Sequence, residues 1–343
     1  MNSKEKVRLG WICIVLLLAN IGVGVYLILT PRRSSERGPT IQPPETDRTV
    51  TRPYGGGTAS PASKPGATAY SIKDLREMIP ILKPLHEDIH KPGPHDWLAN
   101  HKEPGQTFEE YLTCQPVTLH GKRNIIYIQP LGDLPGRRKA IVDLSAEFMG
   151  IYFGAEVRIL KPLSLDLIPE NSRRAGRGFG KEQIKSITIL DDILKPRVPK
   201  DAAAYIAFTA TDLYPEDSWN FVFGQASLYN RVGIWSLARY GDPDRNEETF
   251  QLCLSRTIKT ATHETGHIFS MLHCTKYQCN MNGSNHMVES DSKPLWLCPE
   301  CLAKTLYATQ QGPKERFRKL IEFTRKHKLE EEAKFYEKSL KAL

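Results

Sequence analysis

The pattern of hydrophobic and polar positions divides this chain into three regions, and the first of them contains an apolar run. Residues 9–30 carry no charge, and the nearest basic residues on either side are Arg8 and Arg32. At 1.5 Å per residue a helix of this length crosses the roughly 30 Å of a bilayer core. A cleaved signal peptide would have an apolar region of about 7 to 15 residues and a small-x-small cleavage site, which this run does not end on. The pattern predicts an uncleaved single-pass membrane anchor within residues 1–30.

Proline, glycine, serine and threonine dominate the next stretch, residues 31–69, where large apolar residues are few. Such a composition buries too little apolar surface to offset the entropy of an ordered chain. We therefore expect a disordered stalk over 31–69, followed by a folded domain over 70–343.

Within residues 70–343 the hydrophobic periodicity switches between short strands and longer helices. Apolar runs bounded by turn residues predict strands at 124–129, 156–160, 205–209, 221–223 and 232–237. Helix-like spacing predicts helices at 139–153 and 186–194, and an amphipathic helix or helix pair at 313–343. Strands that alternate with helices favour an α/β fold with a mainly parallel sheet, and the last two strands, close in sequence, favour an antiparallel pair.

The net charge of the chain gives little information about what the protein binds. The 343 residues include 47 Lys and Arg against 39 Asp and Glu, a formal net charge of +8. A basic surface attracts acidic substrates, anionic headgroups or nucleic acid. The basic residues are scattered, however, and no segment resembles a nucleic-acid module, so we expect a solvated basic surface and no nucleic-acid partner.

The sequence HETGH lies in a helix-compatible stretch for which Ser255 is a candidate N-cap. His263 and His267 are four residues apart, so both imidazoles project from one helix face and can ligate a zinc ion. Glu264 is placed beside them as a general base that accepts a proton from water and returns it to a leaving amine.

A third histidine follows the motif. His273 comes six residues after His267, beyond the reach of the same helix face, so the chain must turn sharply near Ser270. Three histidines leave one position of a tetrahedral zinc site open, which is typical of a catalytic site. A left-handed backbone at Ser270 would cost about 1 kcal/mol that glycine avoids.

Four cysteines form a second metal-binding pattern. One pair is separated by four residues and the other is a CxxC, at Cys274, Cys279, Cys298 and Cys301. Paired thiolates at short spacing predict a closed structural zinc site, with free buried thiols as the alternative. Cys114 and Cys253 are expected to be buried small hydrophobes, and His286 to be hydrogen-bonded rather than a ligand.

These motifs together resemble the archaemetzincin signature, and the segments MNGSNH, PLWLCPECL and DLYPEDSWNFVFGQASL resemble its eukaryotic members. The resemblance extends over residues 75–310. It implies a metzincin-like zincin fold with a twisted, mainly parallel sheet, an antiparallel edge strand and a small zinc-pinned C-terminal subdomain. It also implies a catalytic zinc on His263, His267 and His273 with Glu264 as base, a structural zinc on the four cysteines, and Met281 as the floor of the site. Metzincins carry glycine where this chain has Ser270.

The resulting hypothesis is a zinc metallopeptidase with two zinc ions that cleaves peptides or proteins. The edge strand that pairs with substrate would be 232–237. The alternatives are a catalytically silent zinc-binding protein that acts as a protein-binding module, and a tethered zinc module that would bind one zinc. The sequon Asn282-Gly283-Ser284 would put a glycan at the active site of a lumenal domain, which favours a cytosolic face for the anchored domain.

Overall fold

The computed structural model describes residues 70–119, 121–178, 180–227 and 230–343, together with the backbone of 26–28 and 46–50. The strands in chain order are β1 Tyr26–Ile28, β2 Thr46–Val50, β3 Ile125–Pro130, β4 Glu156–Leu160, β5 Arg173–Ala175, β6 Glu182–Lys185, β7 Ala202–Thr209, β8 Asp212–Tyr214, β9 Gly224–Ser227 and β10 Val232–Ser236. The helices are α1 Ile72–Leu82, α2 Trp97–Asn100, α3 Phe108–Thr113, α4 Arg138–Phe153, α5 Ser186–Thr188, α6 Glu247–Ile268, α7 Met287–Ser292, α8 Pro299–Thr309, α9 Pro313–Lys326 and α10 Glu330–Ala342. Beyond α5 the helical stretch continues to Arg197.

The described strands form two sheets, and the larger one has the order β1-β9-β10-β7-β3-β4-β2. Its four central strands run parallel, whereas β9 is antiparallel to β10 and β2 lies antiparallel to β4 at one edge. The predicted α/β class, with a mainly parallel sheet and an antiparallel edge strand, is therefore confirmed. The placement of 232–237 at the edge is wrong, because β10 lies between β7 and β9.

The central strands are buried on both faces, which explains their continuous apolar sequences. In β7, Ile206 and Phe208 belong to one hydrophobic cluster, and Tyr205 and Ala207 belong to another on the opposite face. Helices α4 and α6 contribute to the first cluster, and the helical stretch after β6 contributes to the second. A strand predicted at 221–223 begins instead at Gly224.

Helix α6 carries the HETGH motif and is longer than the sequence pattern indicated. It begins after Asn246, whose side chain accepts a hydrogen bond from the Thr249 amide in a capping box. Ser255 lies inside the helix and is not its N-cap. The helix ends in a sharp turn at which Ser270 has a φ of 68°, the left-handed conformation that the spacing of the histidines requires.

The N-terminal prediction needs a correction. Within the range 9–30 only Tyr26–Ile28 are described, and they form a strand parallel to β9 rather than part of a helix. No helix in the described part of the chain is long and apolar enough to cross a bilayer, and this finding contradicts the predicted membrane localisation. The rest of residues 1–30 lies outside the described residues, as does the predicted stalk apart from β2.

The chain ends in the predicted helix pair. Helices α9 and α10 form an antiparallel hairpin that packs against α1 and α4. The ring of Phe335 stacks on Trp296, with 4.1 Å between ring centroids, in the segment that carries the cysteines. The hairpin therefore supports the region around the two predicted metal sites.

Candidate active site and zinc centres

The three predicted histidine ligands come together on one side of α6. One ring nitrogen from each of His263, His267 and His273 lies within 4.8 Å of the others. The side chains of His263 and His267 project from successive turns of α6. His273 follows the turn at Ser270, which brings its side chain back to the same place. All three side chains are almost fully buried. The structure thus assembles the histidine set that the spacing predicted.

Hydrogen bonds orient the rings of the two helical histidines. The Nδ1 atom of His263 lies 2.7 Å from the carbonyl oxygen of Asn280, and that of His267 lies 2.7 Å from the carbonyl oxygen of Met271. Since a carbonyl only accepts, each Nδ1 carries the proton and each Nε2 exposes a lone pair. Burial lowers the pKa of both histidines well below the usual value, which keeps the rings neutral.

The free lone pairs of these ring nitrogens point at one another. The Nε2 atoms of His263 and His267 are 3.0 Å apart, and the Nε2 atom of His273 is buried without a hydrogen-bond partner. Two acceptors at this distance repel unless a cation lies between them. Three convergent imidazole nitrogens match the donor set of a zinc site with one open position, so these residues fit the metal.

Glu264 lies inside the cavity next to this cluster. Its carboxylate is fully buried and neither oxygen has a hydrogen-bond partner. Burial raises the pKa of Glu264 to about 8, and the charge of Lys293 partly opposes that shift. Lys293 lines the same cavity and donates a hydrogen bond to the Asn282 carbonyl at 2.6 Å. A carboxylate with such a pKa can both take up and release a proton near neutral pH.

The four predicted cysteines form a second buried cluster, with all sulfur atoms within 4.8 Å. The Sγ atoms of Cys274 and Cys298 are 3.7 Å apart, far longer than the roughly 2.05 Å of a disulfide. Backbone amides of Met281 and Cys298 donate hydrogen bonds to Cys279 Sγ. Burial raises the pKa of Cys279 and Cys298, whereas hydrogen bonds from the neighbouring thiols lower that of Cys274. Four buried sulfurs without a disulfide suit a closed zinc site.

Met281 connects the two clusters. Its carbonyl accepts a hydrogen bond from the Cys274 amide, and its side chain is fully buried. An added Cβ on Gly266 would lie 2.6 Å from Met281 Sδ, so the thioether packs directly against the helix between His263 and His267. This contact agrees with the predicted apolar floor.

Sequence reasoning missed Glu103. Its carboxylate oxygens lie 2.9 and 3.0 Å from Nδ1 of His273, and they accept the hydrogen bond that orients this ring. Trp97 packs edge-on against His273, with ring centroids 5.1 Å apart. Both residues precede β3 and are about 170 positions from the third histidine. No local sequence pattern could have linked them.

The structure also shows the surroundings of three other residues for which the sequence made predictions. His286 Nε2 lies 3.2 Å from Asp96 Oδ1, and its Nδ1 accepts from the Glu289 amide, so both ring nitrogens are engaged as expected. Cys253 is buried, as predicted. Cys114 is exposed, so the prediction that it is buried is wrong.

Comparisons with known proteins identify relatives of this chain. The sequence profile described as Peptidase family M54 matches residues 189–306. Human archaemetzincin-2 is 36% identical over 261 residues, covering 67% of this chain and 72% of that protein. Rat archaemetzincin-2 is 36% identical over 270 residues, covering 70% and 75%. The crystal structure of an archaemetzincin from Methanopyrus kandleri aligns with a TM-score of 0.46 at 29% identity, over 56% of this chain and 98% of that one.

The enzyme class follows from these relatives: this protein is a zinc metallopeptidase. More narrowly, the chain belongs to the archaemetzincin family.

Proposed function

We propose that the protein hydrolyses peptide bonds at a zinc ion held by His263, His267 and His273, with Glu264 as the general base. The observation that carries the proposal is the convergence of ring nitrogens from three buried histidines beside a buried carboxylate that has no hydrogen-bond partner. A purely structural site has no use for a carboxylate in that position.

Each side chain has a defined task in this proposal. Zinc at the three imidazoles would polarise a peptide carbonyl and lower the pKa of water from 15.7 to about 7. Glu264 accepts the proton of the attacking water and passes it to the leaving amine. Its raised pKa, about 8, suits both transfers near neutral pH. Lys293 lines the same cavity and, when protonated, favours the carboxylate form of the base, although burial lowers the pKa of Lys293 itself to about 7.

A second zinc ion is proposed at Cys274, Cys279, Cys298 and Cys301, with a structural role. These residues join the segment after α6 to the start of α8. A metal at this point stabilises the irregular chain between them and contributes folding energy when bound. The chain would then hold two zinc ions, and residues 70–343 would form the peptidase domain.

The test is hydrolysis of a diverse peptide mixture by the purified full chain and by Glu264→Gln. Removal of the base while the shape is kept should lower kcat by a factor of about 10²–10⁴ and leave the zinc content at two per chain. If Glu264→Gln loses activity but keeps its zinc, Glu264 takes part in the hydrolysis step and not in zinc binding.

Glu248→Gln is the matched control, because Glu248 is exposed in the first turn of the same helix. It should hydrolyse the mixture at the parent rate. Equal rates for Glu264→Gln and the parent would contradict the proposed base, and an inactive parent that carries two zinc ions would favour a silent zinc-binding protein.

A further inference from the structure

The three histidines differ in what holds their rings. His263 and His267 stand on α6 and donate Nδ1–H to backbone carbonyls, those of Asn280 and Met271. His273 stands beyond the left-handed turn at Ser270, on irregular chain without a helix to fix it. Its Nδ1 faces a carboxylate instead. The third ligand therefore depends on a partner from another part of the molecule.

From this difference we infer that Glu103 is a positioning residue of the catalytic zinc site. The carboxylate accepts the Nδ1 proton of His273, which points the Nε2 lone pair at the other two histidines. It also adds negative charge next to the ligand, which makes the imidazole a stronger donor. Glu103 lies outside residues 189–306 matched by the family profile.

The surroundings of Glu103 leave the histidine site as the main source of positive charge near its carboxylate. The Glu103 side chain is 27% exposed, and the ion pairs among the described residues include none between Glu103 and a lysine or arginine. Its strongest partner is the His273 ring. A carboxylate that is partly removed from water gains from a nearby positive charge, and a divalent ion on the other side of the imidazole would supply one.

The segment that carries Glu103 is held firmly on both sides. On one side Trp97 lies against Gly283, where an added Cβ would be 2.3 Å from the indole Cδ1. On the other side Gln106 donates to the Ser270 carbonyl at 3.4 Å and accepts from the Leu272 amide at 3.2 Å. Lys304 also donates a hydrogen bond to the Gln106 carbonyl. Glu103 is therefore held close to the turn that presents His273.

The inference rests on the proposed three-histidine zinc site but does not need peptide hydrolysis to be observed. Zinc is withdrawn from the full chain with a chelator of known affinity, and zinc content is followed as it falls from two ions to one. Glu103→Ala should raise the zinc dissociation constant of the histidine site about 100-fold. Glu103→Gln keeps a hydrogen-bond acceptor but loses the negative charge. It should raise the zinc dissociation constant of the histidine site about tenfold.

Two further measurements separate positioning from a structural role. Cobalt(II) in the histidine site of Glu103→Ala should give a visible absorption spectrum different from that of the parent, because the orientation of one ligand has changed. Glu109→Gln is the matched control, since Glu109 is an exposed carboxylate that pairs with Arg76, and it should bind zinc like the parent. The four-cysteine zinc should be retained throughout.

A folded Glu103→Gln or Glu103→Ala that binds zinc with the parent affinity overturns the inference. Glu103→Gln preserves the shape of the side chain, so its zinc affinity tests the inference even if Glu103→Ala does not fold. If the parent binds two zinc ions but cleaves no peptide, the proposed function fails while the effect of Glu103 on zinc affinity still decides this inference.

Discussion

At the scale of single residues, Ser270 shows how a strained position is compensated. Its backbone is left-handed, which glycine would adopt more easily. The side chain makes a contact that glycine lacks, because Ser270 Oγ accepts a hydrogen bond from the Val117 amide at 3.1 Å. Tyr111 donates to the carbonyl of the preceding residue, Phe269, at 2.7 Å. The turn before the third histidine is therefore held by the N-terminal part of the folded chain.

Two substitutions at Ser270 separate strain from hydrogen bonding. Ser270→Ala keeps the strain and loses the bond, so the free energy of unfolding should fall by about 1 kcal/mol. Ser270→Gly loses the same bond but relieves about 1 kcal/mol of strain, so it should be nearly as stable as the parent. Urea unfolding measures both, and equal losses in the two variants would contradict this account.

At the scale of elements, the contact between α6 and the chain around Met281 determines how close the metal ligands come. Gly266 leaves room for the ends of two methionine side chains, since an added Cβ would be 2.6 Å from Met281 Sδ and 2.7 Å from Met271 Cε. The position lies between His263 and His267 in sequence. Any shift of α6 away from Met281 would move those ligands.

Gly266→Ala tests this contact. Overpacking costs about 1–3 kcal/mol, and the better helix propensity of alanine offsets about 1 kcal/mol, so a net loss of about 1 kcal/mol is expected. Zinc binding at the histidine site should weaken as well. Adding Met281→Ala restores room, so the double variant should lose less stability than the sum of the two single variants. Strict additivity would show that the two side chains do not share a contact.

At the scale of the whole molecule, the four cysteines lie where separate parts of the chain meet. Their sulfur atoms come together where the segment after α6 contacts α8, which in turn packs against α1 and α3. The Trp296 to Phe335 stack connects the same segment to α10. A metal at this point would stabilise the C-terminal half of the domain as a unit.

Cys298→Ser should therefore have a large effect. It should lower the zinc content from two per chain to one and reduce the free energy of unfolding by several kcal/mol, because structural zinc binding contributes directly to folding. Cys253→Ser is the matched control, since that thiol is buried away from both clusters and donates to the Tyr240 carbonyl. It should keep both zinc ions. Two zinc ions in Cys298→Ser would argue against the second site.

Features that depend on local spacing could be predicted from the amino-acid sequence. Two histidines four residues apart on a helix share a face, and closely spaced cysteine pairs can meet at one metal; neither needs distant contacts. The strands β3, β4, β7 and β10 and the helices α4, α9 and α10 were likewise predictable from periodicity.

Contacts between distant parts of the chain depend on how whole elements pack, and they became visible in the folded structure. The position of β10 inside the sheet depends on β9 pairing outside it. The predicted membrane helix rested on hydropathy alone, and no such helix is present among the described residues. Glu103 reaches His273 because the chain before β3 folds back over the end of α6, about 170 residues later in sequence. Periodicity reports which face of an element is buried, whereas such contacts depend on the packing of whole elements.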